Sequence, residues 1–154
     1  NLKLKELPST GAKAEETAHA FDGFRSLYTG VDLSGWEGKG WQSNDWRLNG
    51  TKSEARLECR ETFASYSFFA DWRSKDKDLP FNLPNVGELG ALDHPVGKWN
   101  RIQVTRVLGS TTVEINGKSV LVEMGLENGP LKSGVLELLP GAEFANIFVK
   151  ELSP

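Results

Sequence analysis

The sequence predicts an all-β domain of two packed antiparallel sheets, and three observations carry that expectation. Apolar and polar residues alternate with period 2 along much of the chain, as in strands buried on one face. Asn-Gly and Pro-Gly pairs punctuate these runs where hairpins would turn. No long run of helical period competes with them. Roughly ten short strands without a long helix are the makings of a sandwich.

Residues 97–123 show the pattern most clearly. Ile102 and Val104 alternate with Arg101, Gln103 and Thr105. Leu108-Gly109-Ser110 is a turn, and Thr111, Val113 and Ile115 carry the next strand. Asn116-Gly117 tolerates the two positive φ angles of a type I′ turn, whose twist suits the flanking strands. Three consecutive strands therefore form a meander.

The other elements follow in chain order. Residues 1–8 read as a strand and repeat the pattern of residues 146–153, which suggests the tail of a preceding copy of the domain. Residues 9–20 are small, polar and Ala-rich, a linker. The sandwich domain spans 21–154. Strands are expected at 24–29, 55–59 and 66–73; in the last, Phe68, Ala70 and Trp72 oppose Ser67, Phe69 and Asp71. Leu33 and Trp36 turn inward, 37–40 is a Gly-rich loop, and Asn49-Gly50 is a turn. Residues 134–139 and 143–152 close the chain as a hairpin around Pro140-Gly141. Between Arg73 and Lys98 the pattern lapses, with three Pro and three Gly, and such long irregular segments often carry function.

Composition bounds the function. The 154 residues hold 38% hydrophobic and 25% charged residues, an ordinary composition for one folded domain. A net charge of −3 with no basic run argues against nucleic acid or an anionic membrane surface as the partner. No apolar run is long enough for a spanning helix, so no membrane insertion is expected. The first residue is Asn1 rather than Met, and a processed fragment is the expectation. Cys59 is the only cysteine and alternates with Leu57, so it reads as a small buried residue rather than a reactive thiol. Five Trp and eight Phe suit a β core and a binding face.

Several segments carry a family resemblance. Ser26-Leu27-Tyr28-Thr29-Gly30-Val31-Asp32-Leu33-Ser34-Gly35-Trp36 resembles the opening signature of the 3-keto-disaccharide hydrolase-type domain. Trp46-Arg47-Leu48, the strand from Phe68 to Arg73, Pro95-Val96-Gly97-Lys98-Trp99-Asn100, the Asn116-Gly117 hairpin and the ending Phe144 to Leu152 extend the likeness over roughly residues 21–153. It implies a concanavalin A-like, LamG-like jelly roll, an extracytoplasmic (periplasmic or secreted) setting and a role in glycan metabolism, with hydrolysis of 3-keto-glycosides in some members. The chain departs from the family after Arg73. There, 74–86 replaces a hairpin strand and an acidic-Val-Gln segment that contribute to the family's concave face.

Glycoside cleavage uses two carboxyl groups flanking the bond, whereas a 3-keto sugar can be cleaved by a base that removes the proton beside the ketone. Asp71, Glu88, Asp93 and His94 are the candidate acid/base set. An Asp-His-Pro turn and an Asp71–Arg73 ion pair are the bland readings of the same residues. Trp41, in its Gly-rich surroundings, and Trp72 with the adjacent Arg73 are the candidate ligand-binding residues, since an indole stacks on a sugar ring. Trp36 and Trp99 read as core. No cofactor is expected; Asp76, Asp78 and Asn82 are a weak calcium signal. The reading is a carbohydrate-associated domain with catalysis reduced or lost, whose partner is a glycan or small saccharide. The alternatives are a non-catalytic glycan-binding module and a structural domain that joins an adjacent repeat or another protein.

Overall fold

The structure, a computed structural model, describes residues 22–30, 32–44, 46–51, 55–83, 86, 89, 93–124 and 136–153. The strand and linker expected over residues 1–20 lie outside these. Twelve strands occur among the described residues: β1 (Arg25–Ser26), β2 (Trp36–Gly38), β3 (Trp41–Asn44), β4 (Arg47–Gly50), β5 (Leu57–Cys59), β6 (Tyr66–Ser74), β7 (Phe81–Asn82), β8 (Asn100–Val107), β9 (Ser110–Ile115), β10 (Lys118–Met124), β11 (Glu137–Leu138) and β12 (Ala142–Glu151). They form two antiparallel sheets, as the alternation predicts. The large sheet runs β10-β9-β8-β6-β12-β4-β3, with β1 also on β12; the small one runs β2-β5-β11-β7.

The meander forms as read. Asn116 and Gly117 take φ of 51° and 76°, the two positive values that a type I′ turn requires. Asn116 also ties the strands together, because its Oδ1 accepts from Arg101 N at 2.9 Å and its Nδ2 donates to Asn100 Oδ1 at 2.9 Å. Within β12 the register shifts between Ala145 and Phe148, with Asn146 at φ 47°. That bulge divides the strand's free edge: β4 pairs before it and β1 after it.

One core fills the space between the sheets. The large sheet supplies Tyr66, Phe68, Trp72, Ile102, Val104, Phe144 and Ile147, and the small sheet supplies Trp36, Leu57, Cys59, Phe81 and Leu138. The Trp72 and Phe81 rings meet edge-on at 5.1 Å, joining the two layers. Cys59 is buried as expected, and burial pushes its thiol up to about 11. Burial likewise pushes the Tyr66 phenol up to about 12.

Three local expectations change. Asn49 and Gly50 are the last residues of β4 rather than a turn, because β4 continues to pair with β3 through Gly50. Glu37 and Gly38 are not loop but strand, paired with β5; the chain crosses between sheets only at Lys39-Gly40. In the irregular segment after Arg73, Phe81–Asn82 forms β7 at the edge of the small sheet, where Phe81 finds its place against Trp72.

Candidate functional site

The outward face of the large sheet follows from strand parity. Phe68, Ala70 and Trp72 point inward, so Ser67, Phe69, Asp71 and Arg73 point out. Register then lays polar residues in rows across the strands. Arg73 stands opposite Glu143, which stands opposite Asn49, which stands opposite Gln42. In the next row Arg101 stands opposite Asp71, and Asp71 opposite Ala145. Beyond these, Phe69 stacks on Phe148 at 5.4 Å under the Arg101 guanidinium, 4.7 Å above its ring.

At one end of this face five side chains form a closed loop of contacts. Arg47 donates to Glu143 Oε1 at 2.8 Å, and Arg73 donates from Nε to Oε2 at 2.7 Å and from Nη2 to the same oxygen. The Arg47 guanidinium lies 5.5 Å from the Trp46 ring, and that of Arg73 lies 5.0 Å from the Trp99 ring. The two indoles complete the loop, with centroids 5.6 Å apart and planes tilted by 38°. Trp46 is 55% exposed and Trp99 37%, large values for tryptophan, so both present ring surface to solvent. An open cleft of about 570 Å³ lies beside the loop, lined by Asn49, Arg73, Lys75, Gly97 and Glu143. The arrangement offers apolar ring surface beside fixed donors and acceptors, which is what an amphipathic ring such as a pyranose needs.

Trp99 corrects its reading as core. Asn100, not Trp99, turns inward: its amide donates to the carbonyls of Pro95 and Lys98, both at 3.0 Å. Parity counted back from buried Ile102 would have found this, since Ile102 and Asn100 share the inner face. Trp46 and Glu143 were missed because nothing local distinguishes them; only strand register brings them to Arg73.

Asp71 and His94 of the candidate set do not come together. Asp71 is on the outer face, where Arg101 holds it at 2.7 and 2.9 Å and Asn146 donates to Oδ2 at 2.8 Å. Its expected pairing with Arg73 is replaced by Arg101, the residue directly opposite. His94 is buried on the inner side, its ring 5.7 Å from that of Trp72 and its Nε2 donating to the Lys77 carbonyl at 3.0 Å. Asp71 and His94 therefore lie on opposite faces of β6. Asp93 is exposed, and Glu88 lies outside the described residues. Among the proposed ligand-binding residues, Arg73 reaches the outer face, whereas Trp41 and Trp72 do not. Trp41 begins β3 and packs on Phe144 with centroids 5.9 Å apart, and Trp72 is fully enclosed between the sheets. Neither offers a ring face to a ligand. Asp76 and Asp78 line a second cleft, of about 640 Å³, with Arg56 and Leu139. Asn82 instead donates to Glu137 at 2.6 Å.

No protein family and no curated protein matches the chain by sequence. By fold it is similar to a Parabacteroides distasonis protein provisionally named a glycosyl hydrolase, with a TM-score of 0.64 and 16% identity, covering 92% of this chain and 98% of that one. The sandwich is shared. It recurs in the carbohydrate-binding module CBM66 of Bacillus subtilis, with a TM-score of 0.53 and 13% identity over 76% of this chain and 96% of the module. Domain 4 of AbnA, an extracellular arabinanase of Geobacillus stearothermophilus solved with arabinotriose, gives 0.52 and 11% identity over 72% and 74%. At these identities the likeness is one of fold.

Proposed function

We propose that this domain binds a saccharide on the outer face of its large sheet and does not turn it over. The observation that carries this is the exposed Trp46–Trp99 pair, fixed by Arg47 and Arg73 beside an open cleft. The names of the CBM66 module and of the arabinotriose-bound AbnA domain support a glycan as the ligand. The provisional name of the Parabacteroides protein, a glycosyl hydrolase, supports a carbohydrate-related role; membership of the 3-keto-disaccharide hydrolase type and a setting outside the cytoplasm are part of the same proposal.

The chemistry of the face favours binding over cleavage. Asp71 and Glu143 share it, but the oxygens of each carboxylate are engaged by Arg101 and Asn146, or by Arg47 and Arg73. Both carboxylates are committed to fixing arginines, whereas glycoside cleavage uses two carboxyl groups placed on either side of the bond. The test is a panel of 3-keto-disaccharides with their unoxidised parents, scored for binding and for sugar release. Binding without release supports the reading. Release that disappears in Asp71→Asn would make the domain an enzyme and overturn it.

A further inference from the structure

We propose that the saccharide taken by this face is acidic, with a carboxylate or sulfate group seated in the cleft beside Arg73 and Lys75. The inference rests on the reading of the Trp46–Trp99 face as a saccharide surface and adds the charge of the ligand.

The charges around the cleft do not balance. Among the described residues that line or border it, three cations, Arg47, Arg73 and Lys75, face two carboxylates, Glu143 and, at the Gly141 edge, Asp76. This local excess stands in a chain whose net charge is −3, so it is not inherited from composition. Glu143 does not exhaust its partners either. Arg73 commits Nε and Nη2 to one oxygen, which leaves Nη1 without a partner among the described residues. Lys75 is exposed at the rim and has no ion-pair partner among them.

The arginine is also held in place before any ligand arrives. Glu143 fixes one edge of the Arg73 guanidinium, and the Trp99 ring lies 5.0 Å away. A fixed planar donor loses little freedom on binding an oxyanion, and a lysine beside it adds a second charge-assisted bond. A sugar stacked on the tryptophans would carry its acidic substituent into this cleft, where a neutral hydroxymethyl group would leave the extra charge unanswered.

The experiment is a glycan array carrying neutral oligosaccharides with the uronate and sulfated counterparts of each, followed by calorimetric titration of the matched sets that bind. The acidic members are expected to bind about tenfold more tightly than their neutral parents in dilute buffer, a difference that shrinks as salt screens it. That preference should fall toward parity in Lys75→Gln and persist in Arg60→Gln, whose exposed pair with Glu37 lies on the small sheet. Uronate binding without sulfate binding would name the carboxylate as the source, and the reverse would name sulfate. Equal binding of neutral and acidic members, lost in Trp46→Ala, would overturn the charge inference and leave saccharide binding standing. No binding by any member, in folded protein, would overturn both.

Discussion

Trp46 and Trp99 meet with ring centroids 5.6 Å apart, each with a guanidinium against its own ring, and both guanidiniums bind Glu143. One residue comes from the connection between β3 and β4 and the other from the approach to β8, so the pair exists only once the large sheet has formed. The arrangement gives exposed aromatic surface a fixed geometry, which loose side chains on a flat sheet would lack.

Binding and stability should therefore separate cleanly among the tryptophans. Trp46→Ala or Trp99→Ala removes stacking surface and is expected to weaken saccharide binding by roughly tenfold or more, with a small change in melting temperature. Trp72→Ala empties the core and should cost about 3–5 kcal/mol of stability. Calorimetric titration and thermal melts of the three variants check this. A Trp46→Ala and Trp99→Ala double variant with unaltered affinity would remove the face from consideration.

The strands and the core were legible in the sequence because each alternating run states which residues share a face. Ile102, Val104 and Val113 are all fully buried, and Asn116-Gly117 takes the turn its composition demands. The site was not legible in the same way. Arg73 and Glu143 become neighbours through the β6–β12 register, a long-range pairing that no local pattern contains. Trp41 misled because glycines precede it, yet they let the chain cross between sheets and carry the indole into the core. Trp99 was within reach of parity, but the Gly-x-Trp-Asn motif drew attention to the tryptophan rather than to the asparagine that turns inward.

Asp71 is expected to behave as a structural group. Asp71→Asn removes a charge from a pair that is largely shielded and leaves Arg101 with a weaker acceptor. The expected loss is about 1–2 kcal/mol in a urea titration. Asp71→Asn with Arg101→Gln should lose less than the two single changes summed, because each removes the same pair.

The small sheet contains a position that only glycine fits. Gly38 lies opposite Leu57, and a Cβ there would stand 2.1 Å from the Arg56 carbonyl oxygen, too close without moving β2 from β5. Gly38→Ala is expected to cost at least about 3 kcal/mol or to prevent folding. At Gly35, φ is 83° and a Cβ would meet nothing within 4 Å, so Gly35→Ala carries backbone strain alone, about 1–2 kcal/mol. Urea midpoints for the pair distinguish contact from conformation.

Alkaline unfolding should have a defined onset. Burial raises the Cys59 thiol from 9.0 to about 11, so above 9.0 the unfolded chain releases its proton while the folded chain still holds it. The stability this contributes is whole below 9.0, declines as pH rises, and is lost by about 11. Tyr66 adds a later decline between 10.0 and about 12. Urea titrations across this range should show the earlier decline shrink in Cys59→Ala, measured against that variant's own stability at neutral pH. The same decline in both proteins would mean that the thiol ionises without unfolding.

On the outer face of the small sheet, Glu37 stands opposite Glu58, and Glu58 opposite Glu137. Directly opposed like charges oppose strand pairing, and the row persists because its ends are answered: Arg60 approaches Glu37 at 3.5 Å, and Arg56 approaches Glu137 at 3.1 Å. No such partner is seen for the middle carboxylate among the described residues. Glu58→Lys replaces two repulsions with two attractions and should stabilise the domain by about 1 kcal/mol. Glu58→Gln removes the repulsion alone and should gain less. Because the effect is electrostatic and exposed, both gains should diminish in concentrated salt. Urea midpoints at low and high salt test this directly. A destabilised Glu58→Lys at low salt would mean that the carboxylate is answered by a cation from elsewhere in the chain.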